Sequence, residues 1–232
     1  MGRRSSDISK FLYTVPGPVE LSSVVAQTLR EHIVSGVSKP GERLIETELA
    51  EQFGTSRGPI RDAFKELEQV GLVHTKPRRG TFVARFDTKD IFEIYTLRQA
   101  LETTAVQLAA SNNENTDSAA ADLEATLAAL SAAYKNGDRR TMSEADLAFH
   151  RLIVNLSGQR RLLEAWERVA DQTLVLLGEL SSHRPDIGLA ISEHRRVAKF
   201  VTDNDADGAS EALSAHLKRG CSSMITRRRS TT

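Results

Sequence analysis

The sequence predicts a mainly α protein in two parts, an N-terminal winged helix-turn-helix followed by an all-α antiparallel helical bundle. Three observations carry that prediction. Residues 46–83 hold two short apolar-periodic segments split by Gly54-Thr55-Ser56, then two β-leaning pieces around the basic loop Lys76-Pro77-Arg78-Arg79-Gly80. Beyond residue 90 only helical periodicity appears, with no run of strand alternation. Charge is distributed unevenly although the formal net is zero: residues 1–87 carry 13 bases and 11 acids, 88–217 carry 13 and 20, and 218–232 carry five bases and no acid. An acidic body flanked by basic segments suits a nucleic-acid reader whose second part does something else.

At 232 residues there is core enough for one large or two modest domains. Residues 1–18 are polar and end in Pro16-Gly17-Pro18, the composition of a disordered arm. Leu21, Val24, Val25, Leu29 and Ile33 form the apolar stripe of a helix over 20–35, stopped by Gly36. Residues 39–44 read as a turn into the helix-turn-helix. Its first helix covers 46–53 and its second 57–70, with Ser56 as N-cap and Pro59 in the first turn, where a missing N–H costs nothing. Ile60, Phe64, Leu67 and Val70 face inward at helical spacing. Arg57 and Arg61, one turn apart near the N-terminus, lie at the end such helices point at base edges in the major groove. Strands over 72–75 and 81–83 complete the wing. Asp87 caps the next helix, which gives a winged domain over 19–86, a helical domain over 87–228 and a tail over 229–232.

Helices are predicted in the second domain over 90–111, 117–136, 138–157, 160–181, 186–203 and 205–227. Four of their polar residues occupy apolar positions. Asp146 and His150 share a face with Met142, Phe149 and Ile153; His194 sits within Ile187, Ile191, Val197 and Val201; His216 sits within Ala209, Leu213, Leu217 and Gly220. A single buried histidine is ordinarily a hydrogen-bonded core residue. Three of the chain's six histidines with an aspartate are a donor set for a divalent cation, and Zn, Ni, Mn and Fe all accept it. On the first bundle helix Arg98 faces inward, either paired internally with Glu102 or forked onto the carboxylate of a small organic acid. His32, His74 and His183 fall outside these patterns, Cys221 reads as packing, and Arg227-Arg228-Arg229 reads as a solvated tail. The single cysteine, the absence of a ~20-residue apolar run and the lack of a signal-peptide core in residues 1–15 imply a cytoplasmic protein not embedded in a membrane.

These residues resemble the GntR family of bacterial transcription regulators, in the FadR subfamily with an FCD effector domain. Residues 56–64, Ser-Arg-Gly-Pro-Ile-Arg-Asp-Ala-Phe, are similar to its recognition-helix signature, and Arg79-Gly80-Thr81-Phe82-Val83 to its wing tip. Asp146 with His150 matches its Asp-x-x-x-His element, His194 and His216 its remaining metal ligands, and Arg98 with Glu102 its Arg-x-x-x-Glu. The resemblance implies a homodimer on an operator with two half-sites, whose DNA affinity changes when a small acid binds beside a divalent metal. It implies DNA contacts from Thr47, Ser56, Arg57, Gly58 and Arg61 and from Arg78, Arg79 and Gly80 in the wing, with metal ligands Asp146, His150, His194 and His216 and effector contacts Arg98 and Glu102. Two departures stand out. Thr47 occupies a position where some members place a DNA-touching arginine, which shifts readout toward Arg57 and Arg61, and Ser157-Gly158-Gln159 stands where the family often has asparagine.

Two other functions fit parts of the pattern. A metalloenzyme could use the Asp/His cluster as a Lewis-acid site, but no separate general base stands near the ligands and a DNA-reading domain would go unexplained. A DNA-binding regulator could instead use the bundle only for dimerisation, with no metal or ligand.

Overall fold

The computed structural model describes residues 18–112, 116–137, 139–180 and 187–230. The expected arm falls almost wholly outside them, as do most of the expected break at 112–115 and the expected break at Arg184-Pro185. The order among the described residues is α1 (Pro18–Val34), β1 (Arg43–Leu44), α2 (Glu46–Gln52), α3 (Arg57–Gln69), β2 (Val73–Lys76), β3 (Gly80–Val83), α4 (Thr88–Ser111), α5 (Thr116–Asn136), α6 (Arg139–Leu156), α7 (Arg160–Leu180), α8 (Ile187–Thr202) and α9 (Ala206–Ser230). No helix among these residues is long and apolar enough to cross a membrane.

Helix α1 ends where expected, with Gly36 at φ +75° taking a left-handed conformation that costs glycine little. Its buried stripe differs from the expected one. Val25, Leu29 and Ile33 are buried, but Val24 is 55 % exposed and Leu21 37 %, with Ser22 and Ala26 turned inward instead. The predicted turn over 39–44 contains a strand: Arg43 and Leu44 pair with Phe82 and Thr81, so the sheet has the order β1-β3-β2. Two residues are too few for alternation to register in sequence. The wing is also longer than predicted, because Lys76 pairs with Gly80 and only residues 77–79 turn. Arg78, at the turn, has φ +62°.

Helix α3 packs on α1 through Ile60, Ala63, Phe64 and Leu67, which leaves its N-terminal polar face outward. Ser56 holds the N-cap position in extended conformation, yet its hydroxyl makes no capping bond. Asp87 makes the expected one: its Oδ1 accepts from the backbone N–H of Lys89 at 2.7 Å and Asp90 at 3.0 Å, and Asp90 Oδ2 accepts from Asp87 N–H at 2.7 Å. In the bundle, α9 packs along α4 and α8, and α4 also contacts α6 and α7. The C-terminal arginines are not a tail: α9 continues through Arg227, Arg228 and Arg229 to Ser230, with the first two half-buried.

The two parts share one continuous apolar core that runs from Val25 and Leu67 through Phe86 to Ile91 and Leu177. Two polar contacts from α7 reinforce the junction. Asp171 accepts from Arg30 Nε at 2.5 Å and Nη2 at 2.6 Å, and the neighbouring Gln172 Nε2 donates to the Val70 carbonyl at 2.8 Å. Gln172 lies so close to Gly71 that a Cβ there would collide with its Nε2, and Gly71 has φ +70°. Gly71→Ala therefore combines left-handed strain with displacement of Gln172 from Val70. A cost of about 2 kcal/mol is expected in urea unfolding, and a loss under ~0.5 kcal/mol would show that the junction gives way freely.

Candidate metal centre and nucleic-acid interface

Asp146 and His150 come from α6, His194 from α8 and His216 from α9, so three helices deliver the four predicted ligands to one place. One donor atom from each lies within 4.8 Å of the others. The ring centroids are 4.4 Å apart for His194–His216 and 5.3 Å for both His150–His194 and His150–His216.

What fixes the rings is the outer nitrogen of each. His150 Nδ1 lies 2.6 Å from Glu102 Oε2, His194 Nδ1 2.7 Å from the Ala190 carbonyl, and His216 Nδ1 2.8 Å from Glu193 Oε2. Carboxylates and carbonyls only accept, so each Nδ1 carries the proton and each Nε2 presents a lone pair to the common space. His150 Nε2 and His194 Nε2 are buried with no hydrogen-bond partner, and Asp146 Oδ1 stands 3.5 Å from the latter. Buried acceptors left open in this way are costly unless a shared positive charge meets them. Three imidazole lone pairs with one carboxylate are a fitting donor set for a divalent cation.

Burial, aided by neighbouring His216 and His150, pushes the His194 pKa down to about 3 against the pull of Asp146. Burial lowers His216 too, in spite of Glu193. Burial thus favours the neutral form of both rings, the form that binds metal. The consequence for stability has a definite sign. Unfolded histidine titrates near pH 6.5, so unfolding takes up protons below that value. In chelator-treated protein, stability should be fully present above about pH 6.5 and fall as pH drops toward 3. A His194→Gln variant should flatten part of that slope in urea titrations, and identical slopes would remove His194 from the account.

Arg98 stands beside the cluster on α4. It is buried, and its Nε donates to Glu102 Oε1 at 2.7 Å. The Tyr95 ring lies 5.2 Å from its guanidinium carbon, and Tyr95 in turn rests against Gly220, where a Cβ would come within 3.0 Å of the ring. Arg98 Nη2 is buried without a partner. Nε is thus paired internally with Glu102, while Nη2 has no protein partner. Glu102, expected beside Arg98 at the effector site, is wholly buried and bonded to protein groups. Its Oε1 also accepts from Trp166 Nε1 at 2.9 Å, so it orients Arg98, His150 and Trp166. Burial works against its charge, but Arg98 and His150 hold its carboxyl well below the usual range. A cavity of about 320 Å³ opens onto Arg98, Asp146 and His216, with Arg219 and Arg227 on its wall and Leu177, Leu217 and Met224 as its apolar side. Trp166, Glu193 and Arg219 escaped sequence reading. Glu193 precedes His194 and Arg219 follows His216 by one turn, but neither spacing distinguishes a support from a solvated charge.

The predicted DNA-contacting residues gather on the other part of the molecule. Thr47, Ser56, Arg57, Gly58 and Arg61 are exposed around the N-termini of α2 and α3, while Arg78 and Arg79 are exposed on the wing with Gly80 half-buried beside them. β1 adds a base that sequence reading overlooked, since the Arg43 side chain lies against Gly80. Glu46, also unassigned, takes Arg57 and Arg61 together: its Oε2 accepts from Arg57 Nε at 3.1 Å and Nη2 at 2.9 Å and from Arg61 Nε at 2.9 Å.

Residues 21–83 match the family described as bacterial regulatory proteins, gntR family, and residues 93–219 match the FCD domain. The HTH-type transcriptional regulator YdhC of Bacillus subtilis is 34 % identical, over 83 % of this chain and 86 % of that protein. The "Probable D-xylose utilization operon transcriptional repressor" of Paenarthrobacter nicotinovorans is 32 % identical, over 84 % and 86 %. Among solved structures, McbR/YncC of E. coli superposes with a TM-score of 0.76 at 26 % identity, covering 89 % of this chain and 97 % of that one.

Proposed function

Because the chain belongs to the GntR family of bacterial regulatory proteins and carries an FCD domain, we propose that it is a metal-containing, effector-responsive homodimeric repressor or activator in the cytoplasm. It is a DNA-binding transcription regulator and not an enzyme, so the metalloenzyme reading falls. The observation that carries the finer reading is the convergence of Asp146 and three histidines, with His150 Nε2 and His194 Nε2 buried and unpartnered, beside the open Nη2 of Arg98.

Asp146, His150, His194 and His216 hold the divalent cation, Zn, Ni, Mn or Fe. A cation bound there would supply positive charge to an anionic oxygen. Arg98 takes the carboxylate of a small organic acid through Nη2, with its plane fixed by Glu102 below Nε and by the Tyr95 ring. Glu102 is a positioning residue for Arg98 and His150 at once. A bundle that served only for dimerisation would have no use for buried imidazole nitrogens left without partners.

At the other end, Arg57 and Arg61 read base edges in a major groove, while Thr47, Ser56, the backbone at Gly58, and the wing residues Arg78, Arg79 and Gly80 meet phosphates. Two copies related by a dyad place two such helices on two half-sites. The α7 contacts to Arg30 and Val70 connect the effector domain to the reading head.

Titration calorimetry tests the pocket after a thermal-shift screen of small carboxylic acids. Arg98→Ala is expected to abolish binding of the selected acid while metal content stays at the wild-type value; unchanged affinity rules the role out. On DNA, Arg57→Ala is expected to cost ~1–3 kcal/mol and to relax preference at one base pair per half-site. Equal operator affinity for mutant and wild type would reject the base-reading assignment.

A further inference from the structure

Two arginines one turn apart at a helix N-terminus should splay, since like charges at that spacing repel. Here they do not, because a carboxylate from another helix stands between them. We propose that Glu46 is a specificity-determining residue of the DNA interface, holding Arg57 and Arg61 in the orientation that meets base edges and weakening sequence-independent attraction to phosphate. The proposal rests on the reading of α3 as the base-contacting helix.

Glu46 is the first residue of α2 and Arg57 the first of α3, so the short turn between the helices brings the two N-termini together. All three donors converge on the single oxygen Oε2. The contact is not a stability device. Both arginine side chains remain more than half exposed, at 54 % and 56 %, and exposed ion pairs contribute little to folding. What it fixes is geometry. Arg61 is held only through Nε, which leaves both of its terminal nitrogens to donate to a guanine edge, while Arg57 keeps Nη1. Rotamer freedom that each long side chain would lose on docking is already restricted in the free protein. Charge adds a second effect: with Glu46 the trio carries one net positive charge instead of two, and phosphate attraction scales with the charge presented.

These effects act on specific and non-specific binding in opposite senses, and this separates them from damage to the fold. The test uses the full chain and a duplex library with randomised positions, from which wild-type protein first selects its preferred sequence. Glu46→Gln and Glu46→Ala are then measured on that sequence and on an unrelated duplex across a salt series. The discrimination ratio is expected to fall roughly tenfold, the order of one lost bidentate base contact. Affinity for the unrelated duplex should rise, with a salt slope steeper by about one. A wild-type motif accompanied by an unchanged ratio in both variants overturns the role of Glu46 while leaving the reading of α3 intact. A parallel fall on both duplexes, with a lowered thermal midpoint, makes Glu46 merely structural and also overturns it. If wild-type protein enriches no sequence at all, the base-reading assignment itself fails, and the proposal with it.

Discussion

Replacing Glu102 by alanine is expected to destabilise the protein by about 3–5 kcal/mol, the cost of leaving a buried charge without its partner. Glu102 has no exposed surface and joins three buried donors on three helices: Arg98 Nε on α4, His150 Nδ1 on α6 and Trp166 Nε1 on α7. Arg98 lies 2 % exposed, and burial alone disfavours its charge; Glu102 is what holds its pKa above the ordinary value. Without the carboxylate, a guanidinium and an indole N–H lose an acceptor in a place water does not reach. Glu102→Gln keeps the shape and one acceptor but removes the charge, so it should fall between wild type and alanine. Arg98→Met in the Glu102→Gln background should recover part of the loss, because the buried charge that needed compensation is then gone. Urea unfolding of wild type, Glu102→Gln, Arg98→Met and the double variant measures this cycle. Additive losses would mean that Glu102 and Arg98 do not depend on each other, and the buried network would have to be described as separate contacts.

That network marks the boundary of what the residues alone disclose. Asp146, His150, His194 and His216 were legible because a polar residue on an apolar stripe breaks a periodic pattern, and the structure brings all four together. Arg98 and Glu102 were legible for the same reason, one turn apart on one stripe. Their division of labour was not, because it depends on Trp166, which arrives from a helix 64 residues away and looks in sequence like any other core aromatic. Glu193 and Glu46 were invisible for a converse reason. Each is a charged residue at a position where charge is unremarkable, and only a long-range neighbour reveals its use. The same locality explains the fold. Helices with a strong stripe, such as α3 and α6, were read to within a residue or two. β1 was missed because its identity comes from pairing with β3. Leu21 and Val24 were assigned to the core of α1, but both are exposed, because a stripe in sequence does not say which side of it a neighbouring element covers.

Adding a divalent cation to chelator-treated protein should raise stability by about 4 kcal/mol when free metal stands a thousandfold above its dissociation constant, a rise of roughly 10 °C in the thermal midpoint for a chain of this size. The argument starts from the metal-free site. It sets neutral imidazole nitrogens and a carboxylate in one buried space, with His150 Nε2 and His194 Nε2 making no hydrogen bond. Such an arrangement raises the energy of the free protein and makes it responsive to any cation that can be shared among those atoms, since binding to the folded form alone shifts the folding equilibrium. The three Nδ1 partners matter as much as the ligands. Glu102, the Ala190 carbonyl and Glu193 hold the rings in place beforehand, so little ordering remains to be done when metal enters. His194→Ala and Asp146→Ala should therefore lose nearly all of the metal-induced shift, whereas Glu193→Gln should lose only part of it, because the ligand stays and its support weakens. His74→Ala, a histidine stacked on Phe82 in the wing, serves as the control and should respond like wild type. A full thermal shift in His194→Ala, or stoichiometric metal bound by it at wild-type affinity, would place the cation elsewhere and remove the link between the cluster and Arg98.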